Sequence, residues 1–294
     1  KITVSCYERL MRIVTTAPRH GRDLIKDYGV DEDRIHMIPN GIDPNLFEDA
    51  ARNQRGEDTV LRLGFLGRLE HNQKGVLFLP EILRHLQNQG IPFICKSAGK
   101  GAHGKSLEAS LKSSIRNGSV EFVGALKPSD VPDFFKDIDV YLFPSQFEGC
   151  PNALLEAIMA GCVPVAWRLE GITDYIVSGD RTGFICPLGD CKAFADKIKI
   201  LADNRQKLQN MSKSAAEDAR NRFSQPRLAK DYAELIKKVI NEPVRPWQPL
   251  PWSSFRVDTA FANLNTWKSV LPKSLNRAIK NCLFYVGLSD RYYD

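Results

Sequence analysis

Short apolar runs alternate with amphipathic stretches from residue 11 to residue 240, and this alternation restricts the fold more than any other feature. Runs such as LRLGFLG, PFICKSA and DVYLFPS each fit a buried strand. The stretches between them have helical spacing, as in the stripe of Val76, Leu79, Ile82, Leu83 and Leu86. Strands that alternate with helices predict a doubly wound, Rossmann-like α/β fold with a parallel sheet. Because ligands of such folds bind beyond the carboxyl ends of the strands, the loops after the strands are where we expect chemistry.

Composition narrows the class of protein. The 294 residues are 43% hydrophobic and 26% charged, as in ordinary globular proteins. Seven cysteines without a C-x-x-C pair fit free thiols in a reducing cytoplasm and fit a disulfide framework or a zinc site poorly. The net charge of +6 suits an anionic small ligand or an anionic membrane surface as well as nucleic acid. The sequence contains no RNA-binding signature, and we expect no nucleic-acid partner.

The composition changes near residue 243. EPVRPWQPLPW carries four prolines and two tryptophans, which predicts an extended linker. Residues 253–294 then mix aromatic and basic residues, with two stretches that fit amphipathic helices. We interpret this tail as a helical extension that packs on the domain, with peripheral membrane contact as the alternative.

One loop matches a phosphate-binding pattern. SAGKGAHGKS places Gly99, Gly104, Lys105 and Ser106 in the order G-x-x-x-x-G-K-[ST] between a predicted strand and a predicted helix, as in P-loop nucleotide hydrolases. Such an enzyme also needs an aspartate at a strand tip to hold Mg²⁺, and the downstream strand ends VYLFPS, VPVAW and GFICP have none. A P-loop hydrolase is therefore a minor alternative.

Two other loops carry charged groups after strands. In FLGRLEHNQKG, Arg68 and Lys74 follow Gly67, and two cations at the end of a strand suit a diphosphate, although surface cations are often simply solvated. In SQFEGCPNALLEAIMAGCVPVA, Glu148 precedes a helix on which Glu156 lies near the start. Free amides at that helix start can bind phosphate, and a carboxylate can bind both hydroxyls of a ribose. Alternatively, the two glutamates only favour the helix dipole.

These segments resemble markers of a known family. FEGCPNALLEAIMAGCVPVA is similar to the E-x7-E signature of retaining GT-B glycosyltransferases, in glycosyltransferase family 4. IPNGID (residues 38–43) and GRLEHNQKG are similar to two further markers in the expected order. The resemblance covers roughly residues 11–240 and implies the C-terminal half of a GT-B fold.

The resemblance implies a role for each matching residue. Glu148 would lie beside the transferred sugar as the catalytic group, Glu156 would bind the ribose, and the cations would hold the donor diphosphate. No metal and no further cofactor are expected, because two basic residues and a helix start can balance the charge of the leaving diphosphate. The residues expected to bind the donor are Gly67, Arg68, Lys74, Gly99, Gly101, Gly149, Asn152, Ala153, Leu154 and Glu156. Glu170 stands where the family usually has the first glycine of a pair, which leaves the detail of sugar binding open.

The implied activity is transfer of a hexose, with retention, from a UDP- or GDP-sugar to a saccharide or lipid-linked acceptor in cell-surface polysaccharide or glycolipid synthesis. We expect a cytoplasmic protein, with peripheral contact at the inner membrane face through residues 253–294. A non-catalytic nucleotide-sugar-binding or scaffolding module is the main alternative. The base, the sugar and the acceptor are not indicated by the sequence.

The resemblance also predicts the domain organisation. Residues 1–48 would end the acceptor-side N-terminal domain and form the interdomain linker, residues 49–242 would form the donor-binding domain, and residues 243–294 the tail. The chain begins without Met, and most of the acceptor-side domain has no counterpart in it. We therefore expect a fragment that needs the missing domain of the same protein as its partner and transfers no sugar alone.

Overall fold

A six-stranded parallel sheet organises the computed structural model, which describes residues 12–50 and 60–243. The strand order is β5-β4-β3-β6-β7-β8, so the chain builds the sheet outward from β3 in one direction and then returns to add β6 on the other side. The strands are β3 (Leu61–Leu66), β4 (Phe93–Ala98), β5 (Val120–Gly124), β6 (Val140–Phe143), β7 (Val163–Trp167) and β8 (Phe184–Cys186).

Helices lie between and after these strands. Short 3-10 turns cover Val76–Phe78, Pro128–Asp130 and Gly179–Arg181. The α-helices of this part are α2 (His71–Lys74), α3 (Leu79–Asn88), α4 (Gly104–Ser110), α5 (Lys112–Arg116), α6 (Val131–Lys136), α7 (Asn152–Met159), α8 (Thr173–Ile176), α9 (Cys191–Asp203), α10 (Arg205–Phe223) and α11 (Gln225–Ile240).

The sheet is buried on both faces because the side chains of each strand alternate between two cores. On β6, Val140 and Leu142 join one core while Tyr141 and Phe143 join the other. Helices α3 and α9 cover the first core, and α6, α7 and α10 cover the second. The predicted doubly wound α/β fold is confirmed by this arrangement.

A smaller unit precedes the sheet. Strands β1 (Ile13–Thr15) and β2 (Ile35–Met37) pair in parallel, with α1 (Pro18–Tyr28) between them. Gly29 ends α1 in the left-handed conformation (φ 65°), as the sequence predicts. A 3-10 turn at Glu32–Arg34 leads into β2, and another covers Pro44–Ala50.

Helix α11 is not among the predicted elements, and only Leu235 of this helix is buried. Residues 244–252 of the predicted proline- and tryptophan-rich linker and the amphipathic stretches of residues 253–294 lie outside the described residues. Residues 1–11 and 51–59 also lie outside them. The proposed domain limits at 48/49 and 242/243 stay predictions. Within the described ranges, no helix has the length and apolar character needed to cross a bilayer.

Candidate functional site

The candidate site lies where the strand order reverses, between β3 and β6. At such a switch point the loops after the two neighbouring strands diverge and leave a crevice at the carboxyl ends. The loop after β3 carries Arg68 and Lys74, and the loop after β6 carries Glu148. The topology therefore brings together charged residues that are about 75 positions apart in the sequence.

Lys74 and Glu148 form a direct ion pair across this crevice. The Lys74 Nζ donates to Glu148 Oε1 at 2.6 Å. The two side chains are only 16% and 6% exposed, so water screens the pair weakly. A lysine ammonium has three hydrogen-bond donors, so two remain for an anionic ligand.

A glutamine connects this pair to Arg68. Gln73 Nε2 lies 3.5 Å from Glu148 Oε2, and Gln73 Oε1 accepts from Arg68 Nη2. Arginine only donates and an ionised carboxylate only accepts, so the two contacts agree on one orientation of the Gln73 amide. Arg68, Gln73, Glu148 and Lys74 thus form one continuous chain of polar side chains.

The loop that carries the cations is fixed by local interactions. Glu70 caps the short helix α2 by accepting from the backbone amides of Asn72 and Gln73, both at 2.8 Å. These amide donors lower the pKa of the Glu70 carboxyl. Gly75 ends α2 at φ 64°, and a Cβ there would lie 1.9 Å from the Pro144 carbonyl oxygen. Only glycine lets the two loops approach so closely.

Gly67, Gly99 and Gly101 bring the loop after β4 against the loop after β3. The Gly67 amide donates to the Ala98 carbonyl at 3.0 Å. A Cβ on Gly99 would lie 1.8 Å from the Gly67 oxygen, and one on Gly101 would lie 2.4 Å from the Leu69 oxygen. Both glycines are therefore needed for the contact between the two loops.

Helix α7 begins at Asn152, directly after Pro151. The Leu154 amide donates to the Pro151 carbonyl at 3.0 Å, so the prediction that this amide is free is wrong. The first turn closes one residue earlier than expected because Pro151 precedes the helix and its carbonyl accepts the first bond. Within the described residues, the amides of Asn152 and Ala153 donate to no protein group and can face a ligand.

Glu156 lies one turn further along α7 and is partly buried. Burial raises the pKa of its carboxyl, because desolvation disfavours the charged form. Burial also raises the pKa of Tyr141 well above its usual range, with further contributions from the charges of Glu156 and Glu148. The Tyr141 hydroxyl donates to the Leu66 carbonyl at 2.9 Å, which ties β6 to the end of β3.

Residues of the smaller unit that precedes the sheet contact the loops after β6 and β7. A Cβ on Gly149 would lie 3.5 Å from His20 Cε1, so His20 packs over the loop that carries Glu148. The Arg22 Nη2 lies 3.4 Å from Oε1 of Glu170, which is in the loop after β7. Glu170 is thus an exposed partner of α1, and the next residue, Gly171, takes φ 68°.

Comparison with known proteins shows what this part of the chain is similar to. The sequence matches the model of a family described as "Glycosyl transferases group 1" over residues 61–204. Over these residues, about half of the chain, the sequence is similar to the domain of group 1 glycosyltransferases. The matched range contains the loop after β3 with its two cations, the glycines of the loop after β4, and both Glu148 and Glu156. These residues of the site therefore lie in the part of the chain that the family model covers.

Similar proteins include two polysaccharide or glycolipid enzymes by their names. The amylovoran biosynthesis glycosyltransferase AmsK of Erwinia amylovora is 26% identical over 72% of this chain and 52% of its own length. The UDP-Gal:alpha-D-GlcNAc-diphosphoundecaprenol alpha-1,3-galactosyltransferase of Escherichia coli is 27% identical over 68% of this chain and 53% of its own length. The chain spans about half the length of the curated relatives it matches.

Solved structures agree on the fold. A glycosyltransferase from Rickettsia africae superposes with a TM-score of 0.70 at 18% identity, covering 82% of this chain and 68% of that one. Anabaena HepE, solved with UDP and glucose, superposes with a TM-score of 0.65 at 20% identity, covering 79% of this chain and 63% of that one. The described residues therefore have the Rossmann-like fold of GT-B structures.

The P-loop interpretation does not fit the geometry of the loop after β4. Residues 99–103 are bonded to the neighbouring loop, since Leu69 donates to the Lys100 carbonyl and His103 donates to the Leu69 carbonyl. Lys105 and Ser106 lie exposed in the first turn of α4. This loop is a closed turn beside the crevice and not an open phosphate cradle.

Two polar residues of the site were not predicted from the sequence. Gln73 contacts both Arg68 and Glu148, and Asn40 Nδ2 donates to Asn152 Oδ1 at 2.7 Å. Asn40 lies in the IPNGID marker, which was the available signal for it. Nothing in the sequence singles out Gln73. In the described ranges, no cluster of three or more His, Cys, Asp or Glu side chains is arranged to hold a metal ion.

Proposed function

We propose that this chain carries the donor site of a retaining, family 4 glycosyltransferase that transfers a hexose from a nucleotide sugar. The observation that carries the proposal is the poorly exposed Lys74–Glu148 ion pair at the switch point of the sheet. A cation there can bind a diphosphate, and the adjacent carboxylate lies where the attached sugar would follow.

Each side chain then has a part in breaking the bond between the sugar and the diphosphate. Arg68 and Lys74 balance the negative charge that grows on the leaving diphosphate, together with the free amides of Asn152 and Ala153. Glu148 faces the sugar, and Glu156 accepts hydrogen bonds from the ribose. The acceptor hydroxyl oxygen replaces the diphosphate oxygen on the anomeric carbon, and the hydroxyl proton passes to the leaving diphosphate.

The comparisons favour UDP over GDP as the nucleotide. HepE was solved with UDP and glucose, and one relative is named for a UDP-galactose donor and a diphosphoundecaprenol-linked acceptor. We propose a UDP-hexose donor and a saccharide or lipid-linked acceptor for a cell-surface polysaccharide. Association with the inner face of the membrane through residues 253–294 is part of this proposal and not of the site geometry.

The test separates donor binding from transfer by means of Glu148→Gln. We expect this variant to bind UDP about 2- to 5-fold more tightly, because the ammonium of Lys74 loses its counter-charge while the diphosphate loses a nearby like charge. Transfer should fall by at least about 100-fold. Calorimetry with UDP measures the first effect on the 294-residue chain. Product formation by the complete natural protein measures the second.

Full transfer activity of Glu148→Gln, with unchanged UDP affinity, would contradict the role given to this carboxylate. A wild-type protein that binds UDP-sugars and transfers none of them to any saccharide or lipid-linked acceptor would favour a non-catalytic binding module.

A further inference from the structure

The loop of the IPNGID motif has a fixed backbone. The Ile38 amide donates to the Thr15 carbonyl at 2.8 Å, and the Ile42 amide donates to the Phe223 carbonyl at 2.8 Å. Gln225 in turn donates to the Ile42 carbonyl at 2.8 Å. The loop is therefore held on one side by β1 and on the other by the junction of α10 and α11. This anchoring leaves the side chain of Asn40 at a defined position.

Asn40 reaches the start of α7, 112 residues further along the chain. Its Nδ2 donates to Asn152 Oδ1 at 2.7 Å and lies 3.5 Å from the Cys150 carbonyl oxygen. Both partners are acceptors, so the contacts agree on the orientation of the Asn40 amide. Because the Asn152 Oδ1 accepts from Asn40, the NH₂ group of Asn152 points away from Asn40.

We propose that Asn40 is a positioning residue that keeps the Asn152 side-chain NH₂ available to the donor phosphate. The inference rests on the proposed function, because it places the diphosphate at the start of α7. The free amides of Asn152 and Ala153 and the Asn152 NH₂ then form one set of donors. Without Asn40, the Asn152 amide can rotate by a half-turn and present its oxygen to the ligand. An oxygen in that place repels a phosphate that the NH₂ group would bind.

A double-mutant cycle tests the coupling between the two residues. In the 294-residue chain, Asn40→Ala should lower UDP affinity by about 3- to 10-fold, as expected for one hydrogen bond to a charged group. Asn152→Ala should cause a similar loss, and the double variant should lose no more than Asn152→Ala alone. Affinities are measured by calorimetry. The unfolding temperature of each variant shows whether the fold is intact.

Asn40→Asp gives a readout that a purely structural role would not produce. A carboxylate at position 40 accepts from the Asn152 NH₂ and so turns the Asn152 oxygen toward the ligand. UDP affinity should then fall further than in Asn40→Ala. In the Asn152→Ala background, position 152 has no side-chain amide to turn, so the extra loss should largely disappear. Asn45→Ala, a change at an exposed asparagine of the following 3-10 turn, is the matched control and should leave UDP affinity unchanged.

Additive losses in the cycle, or wild-type affinity in Asn40→Ala, would overturn this inference while leaving the proposed function in place. A wild-type chain that binds neither UDP nor any UDP-sugar would overturn the proposed function and this inference together. An extra loss in Asn40→Asp that persists in the Asn152→Ala background would assign the effect to charge alone and would also overturn it.

Discussion

At the scale of single residues, Glu156 shows a conflict between stability and binding. Its carboxyl is partly buried on α7, and burial raises its pKa above the usual value. The charged form is thus less favourable in the folded protein than in the unfolded chain. A charged carboxylate at this position lowers stability at neutral pH, and its presence is explained by the ribose that we propose it binds.

Glu156→Gln should therefore stabilise the empty protein. Because the pKa of Glu156 is raised in the folded protein, this residue contributes fully to the free energy of unfolding at pH values below its pKa in the unfolded chain. The contribution is lost as the pH rises through the pKa in the folded protein. At pH 7 the variant should unfold about 1–3 °C higher than wild type, and this gain should vanish near pH 4. Thermal unfolding between pH 4 and pH 8 measures the effect.

The same variant should bind UDP more weakly than wild type at pH 7, because a neutral amide is a poorer acceptor for ribose hydroxyls. Glu108→Gln, a change at an exposed glutamate on α4, is the control and should alter neither property. A lower unfolding temperature of Glu156→Gln at pH 7 would contradict the argument from burial.

At the scale of elements, the loops after β3 and β4 depend on glycines that tolerate close contact. Gly99 has φ 143°, and a Cβ there would lie 1.8 Å from the Gly67 oxygen. Backbone must therefore move if any side chain is added. The movement would displace Gly67 and with it Arg68.

Gly99→Ala should lower the free energy of unfolding by at least about 2 kcal/mol and weaken UDP binding. Gly118→Ala is the matched control, since Gly118 also has positive φ (78°) but no atom within 4 Å of the added Cβ. Gly118→Ala should lower the free energy of unfolding by only about 1 kcal/mol, because alanine is strained at positive φ, and it should leave UDP binding unchanged. Urea unfolding and calorimetry compare the two, and equal costs would contradict the role of the contact with Gly67.

Elements with strong local patterns could be predicted from the sequence, and those that depend on tertiary contacts could not. The strands and the stripe of α3 follow from apolar spacing, and the positions of Lys74 and Glu148 follow from parallel strands ending at one edge. Helix α11 was not among the predicted elements, and its apolar residues Ile236 and Ile240 stay exposed in the structure. The contact of Asn40 with Asn152 joins two segments that are far apart in the sequence, and no local sequence pattern connects them. The availability of the Leu154 amide depended on where α7 closes its first hydrogen bond, which varies by a residue among helices.

At the scale of the whole molecule, the site is assembled from loops after β3, β4, β6 and β7 and from the first unit. A ligand that needs all of these loops binds only when the entire sheet is in place. Such a ligand stabilises the native state through interactions that the transition state for folding lacks.

Saturating UDP should therefore slow unfolding and leave the folding rate nearly unchanged. At a concentration of about 100 times Kd, the unfolding rate should fall by about 100-fold. In Lys74→Ala, UDP at the same concentration should no longer slow unfolding. In Lys105→Ala, a change at the exposed start of α4, UDP should slow unfolding as in wild type. Stopped-flow mixing with urea measures both rates, and an equal acceleration of folding would contradict late assembly of the site. The opposite behaviour of the two lysine variants would restore the P-loop interpretation.

The strand order also has a consequence for synthesis on the ribosome. β3 leaves the ribosome first among the six strands and can pair at once with β4 and then β5, but its other neighbour, β6, follows only after these. During that interval the nascent chain presents the open side of a central, apolar strand, which is a template for pairing with another chain. A ribosome that stalls between β5 and β6 would therefore hold an aggregation-prone half-sheet, and this is the stage at which a chaperone would have most to protect.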